Sequence, residues 1–534
     1  MKKIIVCLLF FMSFAACLRA EKYLLDDPIW VEEDQIPMAK PSTVELSQIY
    51  DMAENTFAHP ASKEMGRARN INTVGQIPDS TWFTNRIGID RLSMEEILQG
   101  PNSGPGPSLP WTIVSAKSEG ISPGFRVRDS RGDTYFIKFD PRRYPQLATS
   151  AETICTRFFH DIGYNVPAYY LVFLRPESLR VDPKAMITDE TGKKRPMTED
   201  DVDRLLERVG KLKDGRIPVS ASLRLPGEDL GKFKYYGTRS DDPNDIFLHE
   251  DHRELRGLRV FAAWLNHDDS RSINTLNMYL PKDNAGFIRH YLIDFGSTLG
   301  SSSVTIESHR SGNEYLFEKG PILRSGLTFG IWDRPWRYYK YPSYREIGRI
   351  ESTHFAPQKW RPEYPNPAFD RMQNEDALWA TEIIMKFTDD IVRAIVHTGS
   401  IFNPEGEKYL SDTLIERRNK IERYYLSLLN PLSDFSINGN KIEFKNLGEL
   451  AGLASQTSYE YQWFRFDNEK DSTQTAGPRQ QTASKSIDLP EGSSPYLMLT
   501  IRSINNTQPN WKKQVNVYLR NDSNKKIVGI EREN

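Results

Sequence analysis

The chain has 534 residues and a formal net charge of −2. Such a balance gives no basic field to draw nucleic acid, and three cysteines in this length exclude a disulfide-stapled scaffold. Stability must come from ordinary burial in two or three domains.

Residues 1–20 predict a signal peptide. Met1-Lys2-Lys3 is a basic start, and Ile4 to Ala16 is an apolar run too short to span a bilayer. Phe14-Ala15-Ala16-Cys17 also resembles a lipobox, in which Cys17 becomes a lipidated first residue; cleavage after Ala20 is the alternative. The expectation is an exported protein, periplasmic or at the outer membrane or cell surface, with no transmembrane helix. A lipid on Cys17 would anchor it to the membrane. Cys7 lies in the signal and Cys155 is a small core filler, so no internal bridge is expected.

Residues 21–110 read as an extension and linker. Leu46, Ile49, Tyr50 and Ala53 predict one amphipathic helix over Glu45 to Phe57. Trp82 and Phe83 are adjacent aromatics suited to clipping the extension onto the main body. Pro101 to Pro110 is a Pro/Gly/Ser linker.

Trp111 to Lys117 and Phe125 to Arg128 form a predicted hairpin whose connection carries Gly120 and Gly124, suited to covering phosphates with backbone N–H groups. Thr134 to Asp140 is a strand with one cation, Lys138, in an apolar run. Leu147, Ala151, Ile154, Phe158 and Ile162 then mark a helical face closed by Gly163. Glu152, in the second turn, could meet Lys138. His249-Glu250-Asp251-His252 lacks the spacing of a zinc motif and reads as a polar helix start.

Trp264 to Asn274 carries Asp268, Asp269 and Asn274. Leu276 to Leu280 and Phe287 to Ile293 make a second hairpin, which ends in Asp294-Phe295-Gly296. Phosphoryl transfer from ATP needs a carboxylate beside the acceptor hydroxyl, an amide oxygen on Mg²⁺, and a second carboxylate bridging metal and phosphates. Asp269 and Asn274, five residues apart, have the spacing of that first carboxylate and amide.

In motif order, residues 111–430 resemble the protein-kinase-like superfamily, closest to its atypical HipA-type, CotH-type and secreted casein-kinase-type branches. The layout also resembles a family of exported bacterial proteins, which carries no activity to transfer. The kinase resemblance implies ATP and Mg²⁺ as cofactors. It implies Lys138 on the phosphates with Glu152 holding it, Asp269 or its neighbour Asp268 at the acceptor, and Asn274 and Asp294 on the metal, Asn277 being a substitute for Asn274. Three departures bear on acceptor recognition: no arginine precedes the catalytic aspartate, the phosphate loop is short of glycines, and no Ala-Pro-Glu closes the segment after Asp294.

Thr305 to Pro367 is rich in Trp, Tyr, Pro and Arg with little periodicity. It reads as an irregular segment packed over the body or as an aromatic platform for a peptide or glycan. Helices follow at Asn374 to Thr398 and Glu407 to Leu428. Past Pro431, alternating runs at Lys441 to Phe444, Glu460 to Phe466, Tyr496 to Ile501 and Val515 to Leu519 predict strands, with Asp471 to Ser486 a polar loop. The expected fold class is α+β: a two-lobed protein-kinase-like fold (small lobe 111–235, large lobe 236–430), then an all-β sandwich at 431–534. Two functions fit: a phosphotransferase acting on a protein or small hydroxylated acceptor, or an inactive, kinase-shaped surface binding protein using the sandwich and aromatic segment. A hydrolase has less support, because Gly296 to Gly300 lacks a nucleophile elbow.

Overall fold

Apolar alternation builds the first sheet. Trp111 and Ile113 in β1 (Trp111–Ala116), Phe125 and Val127 in β2 (Gly124–Arg128), and Tyr135, Ile137 and Phe139 in β3 (Thr134–Phe139) all turn to one buried face. The computed structural model describes residues 21–30, 34, 36–61, 65–89, 92–117, 122–188, 192–282, 285–492 and 494–533. The signal-peptide reading at 1–20, Cys17 and Gly120 fall outside them. With β4 (Tyr169–Leu174), β5 (Leu179–Thr188), β6 (Lys194–Pro196) and β7 (Ile217–Leu223) the sheet has seven strands, ordered β4-β7-β3-β2-β1-β5-β6. Lys138 is therefore mid-sheet, opposite Gly124 on one neighbour and Ser220 on the other.

Two short helices precede the sheet, α1 (Gln48–Ala53) and α2 (Met94–Gln99). The first departs from its hydrophobic pattern. Ile49 and Tyr50 are exposed and Asp51 is buried, because its carboxylate accepts hydroxyl hydrogen bonds from Ser272 and Tyr364 of the main body. A buried carboxylate with both oxygens paired outweighs the amphipathic preference of six residues. Helix α3 (Leu147–Ile162) follows β3 and ends at Gly163, whose φ of +141° few side chains adopt. A Cβ there would stand 2.1 Å from the Phe83 ring, so the extension also needs this glycine.

After α4 (Glu199–Leu206), strand β8 (Glu228–Asp229) precedes α5 (Arg253–Leu265), and with β9 (Thr275–Lys282) and β10 (Ala285–Leu292) it forms a small antiparallel sheet, ordered β10-β9-β8. Then come α6 (Lys319–Leu327), the single turn α7 (Pro367–Asp370), α8 (Asn374–Ile384), α9 (Asp389–His397) and α10 (Pro404–Tyr425). The one helix expected over Asn374 to Thr398 is two, because Thr388 starts a second helix by accepting the Ile391 N–H. One apolar core joins Phe158 and Ile162 of α3 to Phe261 and Trp264 of α5 and to α8, α9 and α10. Buried Arg256 pairs with Asp251 and Asp376, and Arg371 also reaches Asp251, fixing the start of α5 on α8.

The C-terminal strands form two further sheets. One has β11 (Leu432–Asn438), β12 (Lys441–Asn446) and β16 (Ser486–Asp488); the other has β13 (Ser458–Asp467), β14 (Ser472–Thr475), β15 (Gln480–Thr482), β17 (Tyr496–Ile504), β18 (Val515–Arg520) and β19 (Lys526–Arg532). Their inner side chains make a single core, in which the rings of Phe444 and Tyr459 meet edge-on with centroids 5.0 Å apart. The segment read as a polar loop supplies β14 and β15. The chain is thus mixed α and β, with four sheets among the described residues.

Trp82 is buried and stacks on His290 of β10, ring centroids 3.5 Å apart, with Phe233 against its edge. Trp82→Ala should cost about 3–5 kcal/mol, read as a lower urea midpoint at unchanged m-value.

Candidate functional site

The pleat of β3 sends Tyr135, Ile137 and Phe139 into the sheet core and leaves Lys138 for the other face, where α3 lies. There the Lys138 ammonium donates to Glu152 Oε1 of α3 at 2.8 Å and to Asp294 Oδ1, just past β10, at 2.8 Å. The second Glu152 oxygen accepts from the Ser220 hydroxyl of β7. Burial alone would push the Lys138 pKa down. The Asp294 and Glu152 charges outweigh it and hold the ammonium well above its ordinary value. Burial likewise opposes ionisation of Asp294, but Lys138, then Lys117 and His267, keep its carboxyl below the usual range.

Asp294 has φ +63°, a left-handed turn that aspartate tolerates better than most residues. Phe295 anchors that turn: it is fully buried and stacks on Phe159 of α3 at 4.9 Å, with the His267 ring 5.7 Å away. His267 itself, pushed down to about 4 chiefly by burial, is neutral at pH 7.

Helix α5 ends at Asn266, in the left-handed region at φ +50°, and the chain turns into the loop carrying the two aspartates. Asn274 Nδ2 donates to the Asp269 carbonyl at 2.9 Å, so the amide is tied to the loop. Asn274 Oδ1 and Asp294 Oδ2 make no hydrogen bond to a described residue. Asn277 differs: it is buried, with its oxygen 2.8 Å from His290 Nδ1 and its Nδ2 donating to the Lys232 carbonyl. Both ends are committed, so the structure brings Asn274 and not Asn277 to the site.

The adjacent aspartates look different ways. Asp269 pairs with Arg271, which also pairs with Glu363. Asp268 faces Ser311, Glu307 and Arg310. Both carboxyls are pushed up to about 7, chiefly by burial. For Asp269, the Arg271 cation opposes the rise while Asp268, Glu363 and Asp294 add to it.

Gly124 pairs with Lys138 across β2 and β3, and a Cβ there would stand 2.1 Å from the Ile137 carbonyl oxygen. Sequence reasoning missed four residues. Lys117, just past β1, acts on Asp294; Arg271 holds Asp269 and Glu363 holds Arg271; Ser220 holds Glu152. The position of Arg271, two residues after Asp269, was the one local signal. The others depend on register and long-range packing.

Among the described residues no cluster of three or more His, Cys, Asp or Glu side chains is arranged to hold a metal ion. Asp294 and Asn274 offer two hard oxygen donors, which suits Mg²⁺ only where phosphates and water supply the rest of the shell.

No protein-family model matches the chain, and no curated protein matches it. Among solved structures it is similar to the Helicobacter pylori proinflammatory kinase CtkA, at 14% identity over 58% of this chain and 95% of that one, with a TM-score of 0.30. A likeness that loose leaves the function to be read from the site geometry.

Removing the cation from this cluster should be costly, because Glu152 would keep a buried charge without its partner. Lys138→Met should destabilise the fold by about 3–5 kcal/mol, and adding Glu152→Gln should restore part of the loss. Chemical denaturation of the two variants checks this; equal stabilities would contradict it.

Proposed function

We propose that the chain is an ATP- and Mg²⁺-dependent phosphotransferase. In this reading a two-lobed protein-kinase-like body at about 111–430 is followed by a β-sandwich at 431–534. The observation that carries it is the Lys138 ammonium held at 2.8 Å by both Glu152 and Asp294, which joins the seven-stranded sheet to the turn after β10. A buried strand lysine clamped this way keeps its charge and one fixed position, as a contact to phosphate oxygens requires. A structural ion pair would not need the open Asp294 oxygen or the tied Asn274 amide beside it.

When bound, the metal nucleotide supplies the phosphoryl group and neutralises charge on it. The chain's own residues divide the remaining work. Lys138 contacts the phosphates, Glu152 holds Lys138, and Asp294 with Asn274 holds the metal. Gly124 keeps β2 close against β3, and its backbone covers the phosphates. Asp269 takes the proton of the acceptor hydroxyl, positioned by Arg271, while Asp268 secures the segment carrying Ser311. The acceptor is a protein or a small hydroxylated molecule. We also propose export, with a mature protein lacking its first sixteen to twenty residues, as the N-terminal pattern predicts. Mass spectrometry finding an intact Met1 would rule that out.

One observation favours the second reading, a binding protein without turnover: apolar side chains after the Asp294 turn are widely exposed. Nucleotide binding separates the two. ATP with Mg²⁺ should raise the melting temperature of the wild type, and Asp294→Asn should abolish most of that rise. Asp269→Asn should leave binding nearly intact and slow transfer by about a hundredfold to ten-thousandfold. No rise at any Mg²⁺ or Mn²⁺ concentration would leave the binding-protein reading in its place.

The pH dependence follows from Asp269. Its carboxyl, pushed up to about 7 chiefly by burial, accepts a proton only when ionised. Transfer measured as kcat/KM should therefore rise with pH through about 7 and level off above it. A flat profile between pH 5.5 and 8.5 (roughly 1.5 units on either side, where a single group completes most of its titration) would contradict this assignment.

A further inference from the structure

The segment after the Asp294 turn exposes eight large apolar side chains between Leu316 and Tyr338. Phe329 is 95% exposed, Ile331 86%, Leu327 71% and Leu323 62%, and no residue of α6 is buried. The patch extends onto the N-terminal extension, where the Phe57 ring lies 6.0 Å from that of Phe317, with Ile49 and Tyr50 exposed nearby in sequence. Contiguous apolar surface of this kind marks a contact site.

Its charge identifies the partner. Residues 316–345 carry six basic and two acidic side chains, a net +4 on a chain whose total is −2. Asp333 is already paired with Arg337, and Arg334 with Glu314. Lys319, Arg324, Lys340 and Arg345 are exposed and make no ion pair with any described residue. The guanidinium groups of Arg324 and Arg334 each lie 5.8 Å from the Trp332 ring. The core of a protein–protein interface is depleted of unpaired charge. Apolar side chains interleaved with uncompensated lysine and arginine, and with tryptophan and tyrosine among them, instead match the boundary between lipid headgroups and acyl chains. No described helix is long and apolar enough to cross a membrane, so this contact is one of lying on the surface.

We propose that residues 316–345, with Phe57 beside them, form an interfacial binding surface for an anionic lipid bilayer. The inference does not depend on the phosphotransferase reading, since it uses neither Lys138 nor the aspartates.

The test is flotation of the mature chain from Glu21, which carries neither Cys17 nor the apolar run Ile4 to Ala16, so that neither contributes. The vesicles are pure phosphatidylcholine, or phosphatidylcholine mixed equally with phosphatidylglycerol. The protein should float with the anionic vesicles, far less with the neutral ones, and less as salt is raised. Lys319→Gln with Lys340→Gln should weaken anionic binding by about fivefold for each charge removed. Phe329→Ser with Ile331→Ser should weaken it by about tenfold or more. Both variants should keep the wild-type circular dichroism, because the altered side chains are exposed; the lysine variant remains decisive if the apolar one misfolds. Absence of flotation, or flotation unchanged in the lysine variant, overturns the proposal. So does a wild-type dimer that Phe329→Ser with Ile331→Ser makes monomeric while neither protein floats, which would assign the patch to a second copy.

Discussion

The structure turns on one ammonium group with two carboxylates. Lys138 and Glu152 come from a consecutive strand and helix, 14 residues apart, and Asp294 from a turn 156 residues beyond Lys138; both contacts are 2.8 Å. A lysine taken out of water in mid-sheet keeps its charge only where such partners exist. That requirement fixes how α3 lies across the sheet and how the turn after β10 approaches it. Two carboxylates on one cation also leave an excess negative charge at the site, relieved in part by Lys117. In the proposed reading, that residual charge is what a metal ion would complete.

The N-terminal extension braces the same arrangement from outside. Tyr23 packs against Phe466 and Tyr518 of the six-stranded C-terminal sheet, Met38 pairs its backbone with Gly286 of β10, and Trp82 covers His290. Asp51 reaches furthest in. It accepts from Ser272, within the loop that runs from Asp269 to Asn274, and from Tyr364, which is next to Glu363. The loop aspartate is thus paired with Arg271, itself paired with Glu363, and the same loop is tied through the Ser272 hydroxyl to the N-terminal extension.

Much of this was legible in the residues, for a definable reason. Helix α3 and its closing Gly163 follow from a local apolar period, and Lys138, Asp269, Asn274 and Asp294 from short motifs with fixed spacing. What failed was decided elsewhere in the fold. The α1 pattern predicts Ile49 and Tyr50 inside, yet a carboxylate with two hydroxyl partners more than two hundred residues away turned the helix over. Asn274 and Asn277 cannot be told apart by spacing, and only the pairing of β9 with β10, which sets Asn277 against His290, separates them. Strand β19 has no clean alternation of its own, since its two buried positions, Val528 and Gly529, are adjacent.

Exposure along the Lys138 cluster sorts its members by what they can do. The side chain of Glu152 is 1% exposed, that of Lys138 15% and that of Asp294 35%. Glu152 can meet nothing that arrives from solvent; its oxygens are spent on Lys138 and Ser220, so it acts only by holding. Lys138 presents the end of its chain and no more. Asp294 keeps one oxygen outside the network, on a backbone turn that its buried neighbour Phe295 prevents from swinging away. The cluster therefore grades from a rigid base in α3 to a carboxylate partly open to solvent. Any ligand that binds here must be recognised first through Asp294 and the tip of Lys138, a negative and a positive group in direct contact. A ligand bearing both a cation and an anionic group satisfies both at once, and a metal-bound phosphate is the compact chemical form of that pair.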